Sequence, residues 1–417
     1  MLFGKLLRRI VKTGTIVLIG PDGASDCVAA SPSPRVVVRI KNRKFLAKLF
    51  VAPSFFLAEG YVNGDLEIEE GDLRQMLAVL MSGVKDGAYP VFFDKLRQAT
   101  SSLVDWIVKV GTIDRARRDV QFHYDLSNEF FGLFLDPAMQ YSCAYFETGK
   151  ETIAEAQIAK MQHIAAKLFL RPGQNVLDIG CGWGGLAAFL SSNYDRVQVT
   201  GVTLSKNQHA YAQENRRSPL LDFHLQDYRL VSGRFDRIVS VGMLEHVGKD
   251  HYGEYFAKVG DLLADDGVAL IHTIGRRGPP SPINTWIRRR IFPGAYLPSL
   301  SQLAAAAERT GLWILDCENL RLHYAKTLYR WHAALQTHKR EVEAQFGDKF
   351  YRAWEFYLLA CEAGFLYSGI TVFQLLLGKN PDAAPLTRDY MFEEERALKK
   401  RYRDEDVFVA GRERKTG

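Results

Sequence analysis

No stretch of this chain approaches the roughly 20 uninterrupted apolar residues that a transmembrane helix needs, so none is expected. Cysteine is scarce. The five cysteines among 417 residues (Cys27, Cys143, Cys181, Cys317 and Cys361) are widely spaced and form no C-x-x-C pair. That argues against a disulfide framework and against structural zinc, and favours a reducing cytoplasm. Charge of one sign is not in great excess either: the formal net charge is +6. Such a surplus suits an anionic surface such as phospholipid but names no partner. No Lys/Arg stripe interleaved with aromatics is present, so nucleic acid is not expected. There is no internal repeat. The N-terminus, M-L-F-G-K-L-L-R-R-I-V-K, is too interrupted by charge for a signal peptide. It reads as a short basic amphipathic helix, and both an ordinary surface helix and a membrane-surface helix fit it.

What remains is a globular composition, 47% hydrophobic and 24% charged, with length enough for a second domain. Residues 1–110 read as a separate α+β unit. Thr15–Ile19 and Val36–Ile40 are β-branched runs bounded by the turn signals G-P-D-G and S-P-S-P. A helical run follows at Phe45–Leu49. Gly60 to Ile68 looks strand-like around an Asn-Gly turn, and Leu73–Met81 looks helical. No catalytic constellation lies here, so the expected role is architectural or lipid-contacting.

Ser101–Arg118 is amphipathic and ends in a basic cluster. The aromatic-polar segments Gln121–Phe131 and Gln140–Phe146 lack periodicity and suit loops that cover a site. Thr152–Leu170 is a helix with Met161, Ile164, Ala165 and Leu168 on one face. Strands then alternate with helices: Asn175–Ile179, Val197–Thr203, Asp222–Asp227, Phe235–Val241 and Val268–Gly275. Residues 276–298 interrupt the alternation, and a helix at Ser299–Thr310 with a strand at Trp313–Leu320 resumes it. Long helices are expected at Leu322–Phe346 and Lys349–Ser368, and an apolar strand at Ile370–Leu377. This is the pattern of a doubly wound α/β sheet, with ligands at the carboxyl ends of the strands. Residues 380–417 read as a charged tail, mostly solvated helix or disorder.

The stretch N-V-L-D-I-G-C-G-W-G-G, Asn175 to Gly185, is a strand running into a glycine turn and a helix. That geometry lets backbone approach a ligand beside a helix N-terminus; a tight turn without ligand has the same pattern. A dinucleotide site wants an acid about 20 positions further on. Here the second strand ends in Thr203-Leu204-Ser205, which disfavours NAD and leaves a smaller adenosyl cofactor. Asp178 could bond the amides of the glycine turn or reach a cationic ligand. Asp227 could accept from an adenine amino group or cap a helix.

Six motifs in order then carry a resemblance: Q-Y-S-C-A-Y-F, D-I-G-C-G-W-G-G, G-V-T-L-S-K-N-Q, L-Q-D-Y, V-G-M-L-E-H-V-G and I-H-T-I-G. Together they resemble the cyclopropane-fatty-acyl-phospholipid synthase family of class I S-adenosylmethionine-dependent methyltransferases, over about residues 115–380 and more loosely through F-L-A-E-G-Y-V-N-G-D-L. The resemblance implies a Rossmann-like sheet of seven strands, the last antiparallel, with helical lid insertions and a small N-terminal α+β domain. It implies a lipid- or membrane-associated domain at 1–110, a catalytic domain at 111–385 and a charged tail at 386–417.

It also implies site residues. Tyr141 and Ser142 would touch the methionine carboxylate. Gly180, Gly182 and Gly184 would pack on the methionine and ribose, Thr203 and Gln208 would serve the ribose, and Asp227 with Tyr228 would flank the adenine. Cys143, Glu245, His272, Tyr324 and the backbone of Ile274 would hold a bicarbonate ion, the base that takes one proton from the new methyl group. In that role Glu245 accepts, while His272, Tyr324 and the Ile274 amide donate. No covalent intermediate is needed, so Cys143 is not expected to be a nucleophile, and Glu245, His246 and His272 are not expected to bind metal. Aromatic lids around Tyr124, Phe130, Phe131, Tyr145 and Phe146 would exclude water from a carbocation. The implied reaction is methylene transfer to cis double bonds of phospholipid acyl chains, by a homodimer at the inner membrane face, with basic patches at Arg8, Arg9 and Arg288–Arg290. A close alternative keeps the cofactor and yields methyl-branched or methylene products.

Overall fold

In the computed structural model the described residues are 7–85, 126–278 and 283–401. The stretch Ser101–Arg118, residues 121–125 with Tyr124, and the tail after Arg401 lie outside them. The chain divides into two compact units. One takes 1–124, 282–293 and 331–370; the other takes 125–281, 294–330 and 371–417.

The first unit has a four-stranded sheet. Its strands β1 (Thr15–Ile19), β2 (Ser25–Ala29), β3 (Arg35–Ile40) and β4 (Leu66–Glu70) lie in the order β2-β1-β3-β4. β1 pairs in parallel with β3; both outer pairings are antiparallel. The β-branched runs at Thr15 and Val36 form the central strands, as expected. The sequence S-D-C-V-A gave no such signal for β2, because an edge strand burying only Val28 needs no apolar alternation. Helices α1 (Arg43–Val51), α2 (Pro53–Asn63) and α3 (Leu73–Lys85) accompany this sheet in the N-terminal part. Here the reading of Gly60–Ile68 is corrected. Gly60–Asn63 is the end of α2, which begins with Pro53 in its first turn and buries Phe55, Ala58 and Gly60. Gly64, at φ 75°, is a left-handed helix cap rather than part of a hairpin, and the strand starts only at Leu66.

Later helices also belong to this unit, among them Thr285–Arg290, Lys339–Phe346 and Asp348–Tyr367. In Thr285–Arg290, the Trp286 indole and the Arg290 guanidinium both donate to Glu59, at 2.8 and 3.1 Å. In Asp348–Tyr367, Glu362 accepts from Arg74 at 3.1 Å and Glu355 from the Tyr61 hydroxyl at 2.5 Å. The expected single helix Leu322–Phe346 is two, broken at His338, whose φ of −101° and ψ of 13° leave the helical range.

The second unit is built on strands β5 (Asn175–Ile179), β6 (Gln198–Thr203), β7 (Leu221–Leu225), β8 (Phe235–Val241), β9 (Leu263–Arg276), β10 (Trp313–Asn319) and β11 (Ile370–Gly378). They lie in the order β10-β11-β9-β8-β5-β6-β7. The pairs from β9 through β7 are parallel, and β10 and β11 are antiparallel. This is the doubly wound sheet that the alternation implied, with the seven Rossmann-like strands that the resemblance implied. Adjacent residues of each strand serve opposite layers. Val176, Val239, Leu270 and Leu376 face one core, while Leu177, Ile238, Ala269 and Leu375 face the other. A parallel sheet buried on both faces therefore reads as near-continuous apolar runs rather than alternation.

The helices of this unit are α4 (Asn128–Gly132), α5 (Ile153–Leu168), α6 (Gly185–Asn193), α7 (Lys206–Asn215), α8 (Tyr252–Leu262), α9 (Leu300–Arg309), α10 (Arg321–Thr337) and α11 (Asp389–Arg401). Only the first part of α10, through Arg330, falls in this unit. α4 forms where a loop was expected, because Ser127 caps it by accepting from Phe130 N at 3.3 Å. α11 is not a solvated tail: Met391 and Leu398 join the core that contains Ile164, Leu168 and Leu190. Leu398 is fully buried, so Leu398→Ala is expected to cost about 2–5 kcal/mol in a urea melt. A change near zero would mean that the helix does not pack in solution.

Candidate active site

The glycine turn after β5 is a set of unequal glycines. The amides of Gly180 and Cys181 both donate to Val202 O, at 2.9 and 3.1 Å, which clamps the turn to β6. A Cβ at Gly180 would lie 2.9 Å from the Met243 side chain, and one at Gly184 would lie 2.7 Å from Phe223. Those two glycines are required by the packing itself. Gly182 differs, since at φ 57° an added Cβ would meet nothing within 4 Å. Its bare backbone faces open space, as a close-approaching ligand requires. Asp178 does not bond the amides of Gly180 and Cys181, which are spent on Val202. Its carboxylate is buried with Oδ2 lacking a hydrogen-bond partner, and burial pushes it up to about 7.

Around the turn, the Thr203 hydroxyl donates to Gln208 Oε1 at 3.3 Å and accepts from Ser205 N at 3.2 Å. Asp227 caps the short turn Tyr228–Leu230 and ion-pairs with Arg229 at 2.7 Å, which holds its carboxyl below the usual range. It thus takes the capping role, with Tyr228 beside it packed edge-on against Tyr255.

The loop with Tyr141, Ser142 and Cys143 is hung from α5. Gln157 donates to the carbonyls of Gln140 and Ser142, at 3.2 and 2.9 Å. Lys160 donates to Gln140 Oε1 and, at 3.1 Å, to Ser142 Oγ. Asp136, fully buried, accepts from the amides of Ala138 and Gln140 at 2.9 Å each. Burial lowers the Lys160 ammonium to about 8, against the attraction of Asp136, Cys143 and Asp178. Sequence reading missed Gln157, Lys160, His163 and Lys167. Their signal was a polar residue every three or four positions on a helix whose apolar face alone was considered.

Beyond β8 and β9 the expected polar set gathers in part. Glu245 lies in a short turn, buried, and its Oε1 accepts from Ile274 N at 2.6 Å. That amide, expected to donate to an anion, instead orients the carboxylate. Glu245 Oε2 is buried without a hydrogen-bond partner, and burial pushes the carboxyl up to about 7. His272 is buried opposite Val241 on the neighbouring strand; burial, with Lys160 and Lys167 adding repulsion, lowers it to about 3. It is neutral. Cys143 is fully buried with its Sγ 3.9 Å from Leu320 O, and burial pushes the thiol up, which disfavours the thiolate. Tyr324 is buried on the first turn of α10, the helix whose Thr327 hydroxyl accepts from Ala144 N at 3.0 Å. Among the described residues, no cluster of His, Cys, Asp and Glu could hold a metal ion.

The aromatic residues split into two groups. Phe130, Phe131, Phe134 and Tyr141 form a cluster that reaches the glycine turn, with the Phe131 and Trp183 rings 5.1 Å apart. Trp183 Nε1 donates to Asn128 Oδ1 at 2.7 Å, which ties α4 to the turn. Tyr145 is elsewhere, stacked between His163 and His323 at 4.2 and 4.8 Å, and Phe146 packs with Ala144 and Ala156.

The raised Glu245 and Asp178 carboxyls set a pH dependence. Each binds its proton more tightly in the folded chain, so their contribution is fully present below the ordinary carboxyl range and is lost as pH rises through about 7. Urea melts of the ligand-free protein should show stability falling between about pH 4.5 and about pH 7. Glu245→Gln should flatten part of that fall; an unchanged slope would place the titration elsewhere.

Comparison with known proteins agrees with this geometry. The family described as mycolic acid cyclopropane synthetase matches residues 112–375. Cyclopropane-fatty-acyl-phospholipid synthase of Escherichia coli (strain K12) is 38% identical over 352 residues, covering 84% of this chain and 90% of that protein. A Pseudomonas putida protein named "Probable fatty acid methyltransferase" is 35% identical over 384 residues, covering 87% and 92%. Among solved structures, mycolic acid cyclopropane synthase CmaA1 complexed with SAH and CTAB superposes with TM-score 0.59 at 39% identity, covering 62% of this chain and 97% of that one. With the sheet order, the glycine turn and these matches in agreement, the chain belongs to the cyclopropane-fatty-acyl-phospholipid synthase family of S-adenosylmethionine-dependent methyltransferases.

Proposed function

We propose that this enzyme transfers a methylene unit from S-adenosylmethionine to cis double bonds of unsaturated phospholipid acyl chains, forming cyclopropane rings with bicarbonate as the base. The observation that carries the reading is the buried Glu245 carboxylate. One oxygen is held by the Ile274 amide and the other has no partner, on the edge of the strand pair that carries neutral His272. An unpartnered acceptor oxygen and a neutral imidazole suit a small oxyanion that carries its own O–H.

Bound S-adenosylmethionine supplies an electrophilic methyl group. The alkene π pair would take up that methyl as its bond to sulfur breaks; the substrate carbocation would then lose a proton from the new methyl to bicarbonate, and the freed pair would close the ring. Gly182 would let the donor approach the backbone. Tyr141 and Ser142, fixed by Gln157 and Lys160, would meet its methionine end; Thr203 and Gln208 would meet the ribose; Asp227 and Tyr228 would flank the adenine, and Gly180 and Gly184 would keep the turn closed. Glu245 Oε2 would accept the bicarbonate hydroxyl, His272 and Tyr324 would donate to its oxygens, and Cys143 would pack against it as a neutral thiol. The Phe130–Phe131–Phe134 cluster would keep water from the cation.

The N-terminal part through residue 110 would bring the enzyme to the inner face of the bilayer, as a homodimer with catalysis centred on residues 111–385. Arg290 is paired with Glu59 and Arg8 with Asp26, and the basic patches Arg8–Arg9 and Arg288–Arg290 are proposed to meet lipid phosphate. Among the described residues no helix is long and apolar enough to cross a membrane. A second reading, a fatty-acyl C-methyltransferase giving methyl-branched or methylene products, is favoured by the Pseudomonas putida relative and its name.

Purified enzyme with S-adenosylmethionine, bicarbonate and vesicles of unsaturated phospholipid should yield acyl chains heavier by one methylene, with the ring distinguished from a branch by gas chromatography. No heavier product would end both readings, and a branched product would select the second. Glu245→Gln should keep cofactor binding while turnover falls by about 100-fold or more. Full turnover would remove Glu245 from the mechanism.

A further inference from the structure

Behind His272 lies a continuous polar row that the proposed reaction does not use. Glu318 on β10 is in register with Gln374 on β11, and β11 is flanked by β9, which carries His272. Gln374 is buried; its Nε2 lies 3.0 Å from His272 Nδ1, and its Oε1 lies 2.7 Å from Lys167 Nζ. Lys167 is itself fixed, because Nζ also pairs with Glu318 Oε2. That same carboxylate oxygen is 2.6 Å from His163 Nε2, and His163 Nδ1 is 2.5 Å from Glu395 Oε1 on α11.

The chemistry of each partner removes the ambiguity of the next. An ammonium has donors only, so the Gln374 atom facing Lys167 must be its oxygen. The Gln374 amide nitrogen must then face His272 Nδ1, and it too can only donate. His272 Nδ1 is therefore an acceptor, and in a neutral ring the proton sits on Nε2.

We infer that Gln374, with its amide oriented by Lys167, is a positioning residue that locks His272 in the Nε2–H tautomer, so that the imidazole presents a donor to an oxyanion. The inference rests on the proposed oxyanion site only for the use made of that donor; the tautomer itself follows from the hydrogen bonds. Lys167 is held in turn by Glu318, which His163 and then Glu395 of α11 support. The proton position of an active-site histidine on β9 is thus set by four elements: α5, β10, β11 and α11.

The test is nitrogen NMR of full-length protein carrying ¹⁵N-histidine, with the His272 signals assigned by their loss in His272→Gln. The wild-type ring should be neutral with a protonated Nε2 and a bare Nδ1; this needs no variant, and a proton on Nδ1 would overturn the inference. In Gln374→Glu the carboxylate keeps an oxygen toward Lys167 and turns the other toward His272, so the proton should move to Nδ1. Turnover at saturating S-adenosylmethionine should then fall by about 10-fold or more, while the cofactor Kd changes by less than about 2-fold, a split that loss of structure would not give. A Gln374→Glu ring that keeps its proton on Nε2 would overturn the assignment. Bicarbonate depletion of the wild type separates the two ideas: turnover indifferent to it ends the bicarbonate reading, while the tautomer measurement decides the role of Gln374.

Discussion

The architecture of the site follows from the cost of burying two ammonium groups on one helix. Lys160 and Lys167 of α5 are both sequestered from solvent. An unpaired buried charge is expensive enough that its surroundings must satisfy it. Lys160 collects Gln140 and Ser142, and so fixes the loop that carries Tyr141 and Cys143. Lys167 collects Glu318 and Gln374, and so fixes the back of His272. The adjacent stripe of the same helix, with Met161, Ile164 and Leu168, is packed into one of the two apolar layers of the sheet. One helix buried on both sides thus joins the hydrophobic core to the polar chemistry.

The electrostatics around this helix are graded in a useful way. Glu245 and Asp178, in both of which burial outweighs what favours the charged form (for Asp178, the attraction of Lys160), hold their protons up to about 7. Glu318, which faces His163 and Lys167, is held down to about 2 although burial opposes it. His163, between two carboxylates, is raised although burial opposes it. Two histidines on the same side of the sheet therefore carry opposite character: His163 is stabilised as a cation and His272 as a neutral ring. The difference lies entirely in what faces each one, carboxylates in the first case and an amide with nearby ammonium groups in the second.

The sheet of the second unit was legible because β5, β8 and β9 contain apolar runs long enough to stand out, and strand-like segments alternate regularly with helical ones. The glycine turn was legible for the same reason, as punctuation between Ile179 and Leu186. Gly60–Ile68 misled because Asn63-Gly64 closes a helix as readily as it turns a hairpin, and only the packing of Phe55 and Ala58 decides between them. β2 was missed, and the docking of α11 was read as a solvated helix or disorder, because each buries too few residues to leave a periodic signature. The polar stripe Gln157–Lys160–His163–Lys167 was hidden more deeply. Its residue types are those of a solvent-facing surface, and only their partners, 15 to 232 positions away, reveal that they are inside.

That spread along the chain has a temporal consequence. During synthesis the glycine turn, α5 and His272 emerge well before Gln374 and Glu395. Until β11 has entered the sheet, Lys167 lacks its amide partner and His272 is free to exchange tautomers. Until α11 docks, His163 faces a single carboxylate. The polar frame of the site is thus completed by the last described strand and the last described helix. A nascent chain can close its glycine turn early, yet His272 acquires its fixed proton only after the chain through Gln374 has left the ribosome.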